Sequence, residues 1–191
     1  MNFGYYPGCS LSGTAKEFDL SLKEVLKNLD TNLQEINDWC CCGASSAHSA
    51  SHLLSVALPA RNLILAKEQG MKDVVAPCAA CFNRLKVAQH EMKTDEHIRT
   101  KTEELLETKY SDRINVLNLI SLFQHIGLDK IKSNIKIDLS KLNAACYYGC
   151  LLVRPYDILK FDDPENPTTM EEVVKAAGAK PVDWNFKVEC C

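Results

Sequence analysis

The chain has 191 residues, of which 46% are hydrophobic and 25% charged, enough apolar material for a real core and too much for a disordered chain. Its 22 basic and 25 acidic residues leave a net charge of −3, and no basic stretch is dense enough for nucleic acid or an anionic membrane surface. Apolar runs such as residues 53–58 are too short to span a bilayer, and residues 1–6 lack the basic and apolar regions of a secretion signal, so a cytoplasmic protein is expected.

In chain order, residues 2–6 read as a short aromatic strand ended by Pro7-Gly8-Cys9. Ser12 or Thr14 is placed to cap a helix to about Leu29, with Phe18, Leu22, Val25, Leu26 and Leu29 at helical spacing. A second strand is expected at 33–36, then a cysteine-rich turn at 39–43. A helix follows over 52–69, with Gly70 as its C-cap, and a buried-type strand at 73–76 leads into Pro77-Cys78. Further helical pattern covers residues 79–93 and 96–108, then a strand at 115–117 and a helix to Ile126. The alternation predicts an α/β fold with a parallel sheet. Residues 130–140 read as a linker, which gives two units, 1–135 and 136–191.

After that boundary the pattern starts again. Phe3-Gly4-Tyr5-Tyr6-Pro7-Gly8-Cys9 is echoed by Ala144-Ala145-Cys146-Tyr147-Tyr148-Gly149-Cys150, and Asn37-Asp38-Trp39 with Cys41-Cys42 by Val182-Asp183-Trp184 with Cys190-Cys191. A helix at 170–177 stands where the first copy has its long one. This is an internal repeat whose second copy is incomplete, and a truncated chain is the expected reason.

Ten cysteines are the unusual feature. In a chain without a secretion signal, clustered thiols bind metal or do redox chemistry more often than they form disulfides. Cys9, Cys41-Cys42-Gly43 and Cys78-Ala79-Ala80-Cys81 each sit where a predicted strand meets a turn or helix. In a parallel α/β sheet those strand ends converge, and helix N-termini there favour thiolates. Adjacent cysteines make a poor disulfide, yet both sulfurs can ligate neighbouring irons. Zinc is the rival reading, disfavoured because Cys41-Cys42 is too tight for one of two ligand pairs; a thioredoxin-like pair at Cys78 lacks its context. Glu189 occupies the position of Cys40 in the repeat, which leaves Cys40 aside and assigns Cys41 and Cys42 as ligands. Cys146 aligns with Tyr5 on a strand and reads as a core thiol, whereas Cys150 aligns with Cys9.

His48 and His52 have the spacing of a metal pair but read as surface or capping residues, and His90, His97 and His125 as solvated. Arg84 and Arg154 are candidate cations beside a cluster or an anionic thiol substrate. The chain contains no ferredoxin-type cysteine run and no glycine fingerprint for a flavin or nicotinamide, so electrons are expected from another protein of a complex.

Tyr5-Tyr6-Pro7-Gly8-Cys9-Ser10, Asp38-Trp39 with Cys41-Cys42-Gly43-Ala44, and Ala76-Pro77-Cys78-Ala79-Ala80-Cys81-Phe82-Asn83-Arg84-Leu85 resemble the CCG, or cysteine-rich, domain of the heterodisulfide reductase B-type subunits. Tyr147-Tyr148-Gly149-Cys150-Leu151-Leu152-Val153-Arg154-Pro155 resembles the start of that family's second copy. The resemblance implies two pseudo-symmetric halves, each with a noncubane [4Fe–4S] cluster held by five cysteines. The first set would be Cys9, Cys41, Cys42, Cys78 and Cys81; of the second, Cys150, Cys190 and Cys191 are present. It further implies a disulfide substrate cleaved between the clusters, and two partners, a ferredoxin-like C-type subunit and a flavin-binding A-type subunit of a heterodisulfide reductase-type complex. Two departures stand out: Cys40, a position often asparagine in the family, and Leu151, commonly a proton-supplying histidine in methanogen members. Related CCG domains in fumarate reductases and in lactate or glycolate oxidases give a second expectation, an electron-transfer role; a structural zinc protein is the third.

Overall fold

The computed structural model describes residues 1–44 and 46–190. In chain order its elements are β1 (Asn2–Tyr5), α1 (Gly8–Ser12), α2 (Lys16–Asn28), β2 (Asn32–Glu35), α3 (Ser46–Ala50), α4 (His52–Glu68), β3 (Asp73–Val75), α5 (Ala79–Thr94), α6 (Glu96–Leu106), β4 (Asn115–Leu117), α7 (Leu119–Ile126) and α8 (Leu128–Ser133). These are followed by β5 (Asn143–Ala145), α9 (Cys150–Val153), α10 (Tyr156–Leu159), α11 (Thr169–Ala176) and β6 (Lys180–Val182).

Four strands form one parallel sheet in the order β2-β1-β3-β4. Its central strands carry the apolar side chains that such a sheet needs, since helices cover it on both faces: Tyr5, Val74 and Val75 are fully buried. The order reverses between β1 and β3. In open α/β sheets that switch point leaves a crevice outside the carboxyl ends of the two strands. The segments after β1 and β3 contain Cys9, Cys78 and Cys81, and the segment after β2 contains Cys40, Cys41 and Cys42.

Several local expectations are corrected. Neither Ser12 nor Thr14 caps a long helix: α1 ends at Ser12, and α2 starts after Ala15 with no side-chain cap. Of the residues at helical spacing, Leu22, Leu26 and Leu29 are buried, while Phe18 and Val25 stay exposed because the apolar stripe is narrower than the pattern suggested. Gly70, at φ +77°, follows the C-cap Gln69 rather than being the cap itself. The expected linker begins with a helix, α8, whose Ile131 is buried against Leu22, Leu26 and Leu29.

The second sheet is the parallel pair β5 and β6, in which Ala144 faces Pro181. It repeats the β1–β2 pairing at the level the sequence echo indicates. Gly149 at φ +64° matches Gly8 at φ +65°, each at the start of a short helix that carries a cysteine. Apolar packing joins the two sheets: Tyr6, Cys42, Cys81, Phe82 and Leu85 share one cluster with Tyr148, Leu152, Val153 and Leu159.

Candidate functional site

Cys9 leaves β1 through Pro7 and Gly8. A Cβ on Gly8 would lie 2.8 Å from the Cys81 sulfur, and its φ of +65° is one that glycine adopts without strain. That close approach brings the β1 turn onto the N-terminus of α5. Cys78 is the N-cap of α5, and Cys81 lies in its first turn. Cys41 and Cys42 arrive on the irregular segment that follows β2.

The result is a pair and a trio of thiols, joined through the adjacent Cys41 and Cys42. The sulfurs of Cys9 and Cys41 are 3.8 Å apart, and those of Cys42 and Cys81 are 3.5 Å apart. Cys81 is also hydrogen-bonded to Cys78. All are free thiols, and the set runs from outside to inside: Cys9 and Cys41 are exposed, Cys78 is half-buried, and Cys42 and Cys81 are buried.

The electrostatics favour thiolate at the inner end. The hydrogen bond from Cys81, helped by the amides of Cys81 and Ala80 at the α5 N-terminus, holds Cys78 down to about 6 against the opposing effect of burial. The Cys81 hydrogen bond likewise brings Cys42 down to about 7, with smaller help from the Ala44 amide and the Arg84 guanidinium. Cys81 moves the other way: its bonds to Cys42 and Cys78, together with burial, push its thiol far up. Of the three inner sulfurs, Cys81 is therefore the one that holds its proton. At the outer end the Gly43 amide, 3.4 Å from the Cys41 sulfur, favours thiolate there, but burial and the neighbours Cys9 and Cys42 outweigh it and raise Cys41.

This donor set fits a thiolate-bound cluster. The sulfurs form an exposed pair, Cys9 and Cys41, and an inner trio, Cys42, Cys81 and Cys78, and cysteine thiolates are the ligands that iron–sulfur clusters take. Amides and a guanidinium supply the positive potential that stabilises an anionic centre.

In the second half, Cys150 opens α9 after Gly149. Cys190 is exposed, and the carbonyl of Glu189 before it accepts a 2.7 Å hydrogen bond from the Tyr147 hydroxyl, which ties the two segments together. Cys191 lies outside the described residues. Cys146 is buried, and burial raises its thiol, as suits a core position. The Cys40 sulfur lies 3.7 Å from the carbonyl of Leu58 on α4. His52 forms a 2.8 Å pair with Glu91, and Arg154 bonds Glu165 and the carbonyl of Pro164, so of the two candidate arginines it is Arg84 that acts on the thiols. Sequence reasoning missed Asn62 and Asn83. Both are polar residues buried on otherwise apolar helix faces, a signal visible in the helical spacing.

Residues 3–86 match the family model described as the CCG cysteine-rich domain. The chain is 33% identical to the membrane anchor subunit of the 8-methylmenaquinol:fumarate reductase of Wolinella succinogenes, over 99% of this chain and 66% of that one. It is 28% identical to a protein of Archaeoglobus profundus that is itself like the heterodisulfide reductase B-type subunits, over 100% of this chain and 66% of that one. The B-type subunit of the ferredoxin/F420H2-dependent CoB-CoM heterodisulfide reductase of Methanosarcina acetivorans is also 28% identical, with coverage of 97% and 63%. The chain therefore spans about two thirds of the length of these curated relatives. In fold it resembles a hypothetical protein from Helicobacter pylori at a TM-score of 0.68 and 13% identity, covering 96% of this chain and 33% of that one. With the five thiols gathered at the switch point of a parallel sheet, these matches identify residues 3–86 as a CCG cysteine-rich domain and show the chain to be similar to the B-type subunits of heterodisulfide reductase.

Proposed function

We propose that this chain is the iron–sulfur component of a heterodisulfide reductase-like oxidoreductase, acting on a disulfide or, in reverse, on a pair of thiols. Cys9, Cys41, Cys42, Cys78 and Cys81 would hold a noncubane [4Fe–4S] cluster, and Cys150, Cys190 and Cys191 would belong to a second. Residues 1–135 and 136–191 would be the corresponding two copies. The observation that carries this reading is the convergence of five free thiols, two of them exposed, at the crevice beyond β1 and β3.

When bound, the cluster supplies electrons one at a time, so that a disulfide, two electrons and two protons yield two thiols. The chain's own residues divide the remaining work. Gly8 lets the β1 turn close onto Cys81. Cys42, Cys78 and Cys81 form the anchored inner wall, while Cys9 and Cys41 leave the outer side open to a substrate sulfur or a protein partner. Electrons would come from a ferredoxin-like C-type subunit fed by a flavin-binding A-type subunit, on the cytoplasmic side. No helix among the described residues is long and apolar enough to cross a membrane.

The similarity to the fumarate reductase protein favours a second reading, in which the same cluster relays electrons inside a larger complex and binds no disulfide. One experiment addresses both. The chain is reconstituted anaerobically with iron and sulfide, then assayed for iron, sulfide and zinc and by EPR before and after treatment with a one-electron oxidant in the presence of a thiol. About four iron and four sulfide per chain, with a thiol-dependent signal lost in Cys41→Ser, is the result expected for disulfide chemistry. The same metal content without thiol dependence selects the relay. A colourless protein that retains zinc alone would overturn both.

A further inference from the structure

The turn that delivers Cys41 and Cys42 has no regular secondary structure of its own, so other groups must hold it. Its preceding residue, Cys40, is held at both ends of its peptide. The Cys40 N–H donates to Asn62 Oδ1 at 2.9 Å, and the Asn62 Nδ2 donates to the Cys40 carbonyl at 2.9 Å and to the Leu58 carbonyl at 3.2 Å. The same Cys40 carbonyl accepts the Tyr6 hydroxyl at 2.7 Å. Asn62 is only 1% exposed in the middle of α4. A buried amide is tolerated there because its bonds are made, and both of its polar atoms are committed to this turn. Tyr6 directly follows β1, three residues before Cys9. The clamp therefore ties the turn both to a core helix and to the strand that delivers another thiol.

The second half provides an internal control. There Tyr147, which aligns with Tyr6, donates to the carbonyl of Glu189 at 2.7 Å, immediately before Cys190. Trp184 stands beside Tyr147 as Trp39 stands beside Tyr6. The carbonyl at this position makes the same bond in both halves, although its side chain is a thiol in one and a carboxylate in the other. In the first half the Cys40 sulfur faces Leu58, not a neighbouring thiol.

We propose that Asn62 and Tyr6 are positioning residues that set the Cys41–Cys42 turn through the peptide of Cys40, and that the Cys40 thiol takes no part in the site. This rests on the iron–sulfur reading for its consequence but not for its geometry, and two measurements keep them apart. Amide hydrogen exchange on the metal-free protein reads the clamp alone. In Asn62→Ala, exchange across residues 40–43 should rise by about tenfold or more while β1 and α5 amides stay as in the wild type. Tyr6→Phe removes one hydroxyl and should shift the same amides by less; it decides the matter should Asn62→Ala not fold. On the reconstituted protein, Asn62→Ala and Tyr6→Phe should alter the EPR signal or speed iron loss, and Cys40→Ser should match the wild type in both measurements. Unchanged exchange in Asn62→Ala or Tyr6→Phe, or iron loss in Cys40→Ser, would overturn the proposal. Should the wild type bind no iron, the proposed function falls, and the exchange data still decide the clamp.

Discussion

At the scale of the residue, the thiol site depends on one glycine and one proton. Gly8 combines a positive φ with a position where an added Cβ would lie only 2.8 Å from the Cys81 sulfur. Gly8→Ala should cost about 1–2 kcal/mol from backbone strain alone and displace Cys81 from Cys42. A denaturant titration of the metal-free protein would show the first effect, and iron content after reconstitution the second. The proton that Cys81 holds among the inner thiols predicts a distinctive pH dependence in the metal-free state. Cys78 and Cys42 titrate at about 6 and about 7, below an unfolded thiol, so between there and pH 9 the unfolded chain binds more protons and stability rises with pH. Cys81 is shifted upward, so above about pH 9 the folded state binds more protons and the gain reverses. Chemical denaturation from pH 5 to 10 should therefore show a maximum near the ordinary thiol pKa. A profile that is flat, or that falls steadily from pH 6, would contradict this assignment.

At the scale of the element, α5 joins the two halves. Its N-terminus presents Cys78 and Cys81, and two residues later the buried Asn83 donates to the carbonyls of Leu151 at 3.0 Å and Arg154 at 2.8 Å. One helix thus carries two of the first thiols and grips the short helix that starts at Cys150. Asn83→Ala would strand two carbonyls at the end of α9, at a cost of about 1–3 kcal/mol. Hydrogen exchange should quicken in α9 before it does in α4. The second half has its own buried anchor, in which Glu171 accepts the Tyr148 hydroxyl and pairs with Lys187 at 2.8 Å, both charged side chains being nearly inaccessible. Lys187→Met should destabilise the protein by about 3–5 kcal/mol, because a carboxylate would remain buried without its cation. A thermal melt at neutral pH would measure it, and adding Glu171→Gln should recover part of the loss.

At the scale of the whole molecule, the two halves lean on each other. The face of α5 that includes Phe82 and Leu85 is covered by Leu152, Val153 and Leu159. Residues 1–135 expressed alone should keep the four-stranded sheet but melt at lower temperature and bind a hydrophobic dye. A fragment as stable as the full chain would show that the halves are independent. The arrangement also sets the spatial logic of the proposed chemistry, since the Cys150 turn is docked onto the helix that opens with the first thiol set.

Much of this was legible in the residues. Alternating apolar strands and amphipathic helices imply a parallel sheet whatever the details, and cysteines placed just after three of those strands must approach one another once the strands run parallel. The repeat was legible because a tyrosine pair closely followed by Gly-Cys, and later an Asp-Trp followed by adjacent cysteines, recur in order. Helix ends were not legible: Ser12 and Thr14 look like caps, yet Ser12 ends the separate short helix α1, and α2 starts only after Ala15. Nor were the partners that Asn62 and Asn83 meet outside their own helices, which lie 22 and at least 68 residues away. Local pattern determines which residues are thiols and which faces are apolar. Only the tertiary structure decides which peptide groups a buried amide will meet, because that depends on the packing of segments that no local rule connects.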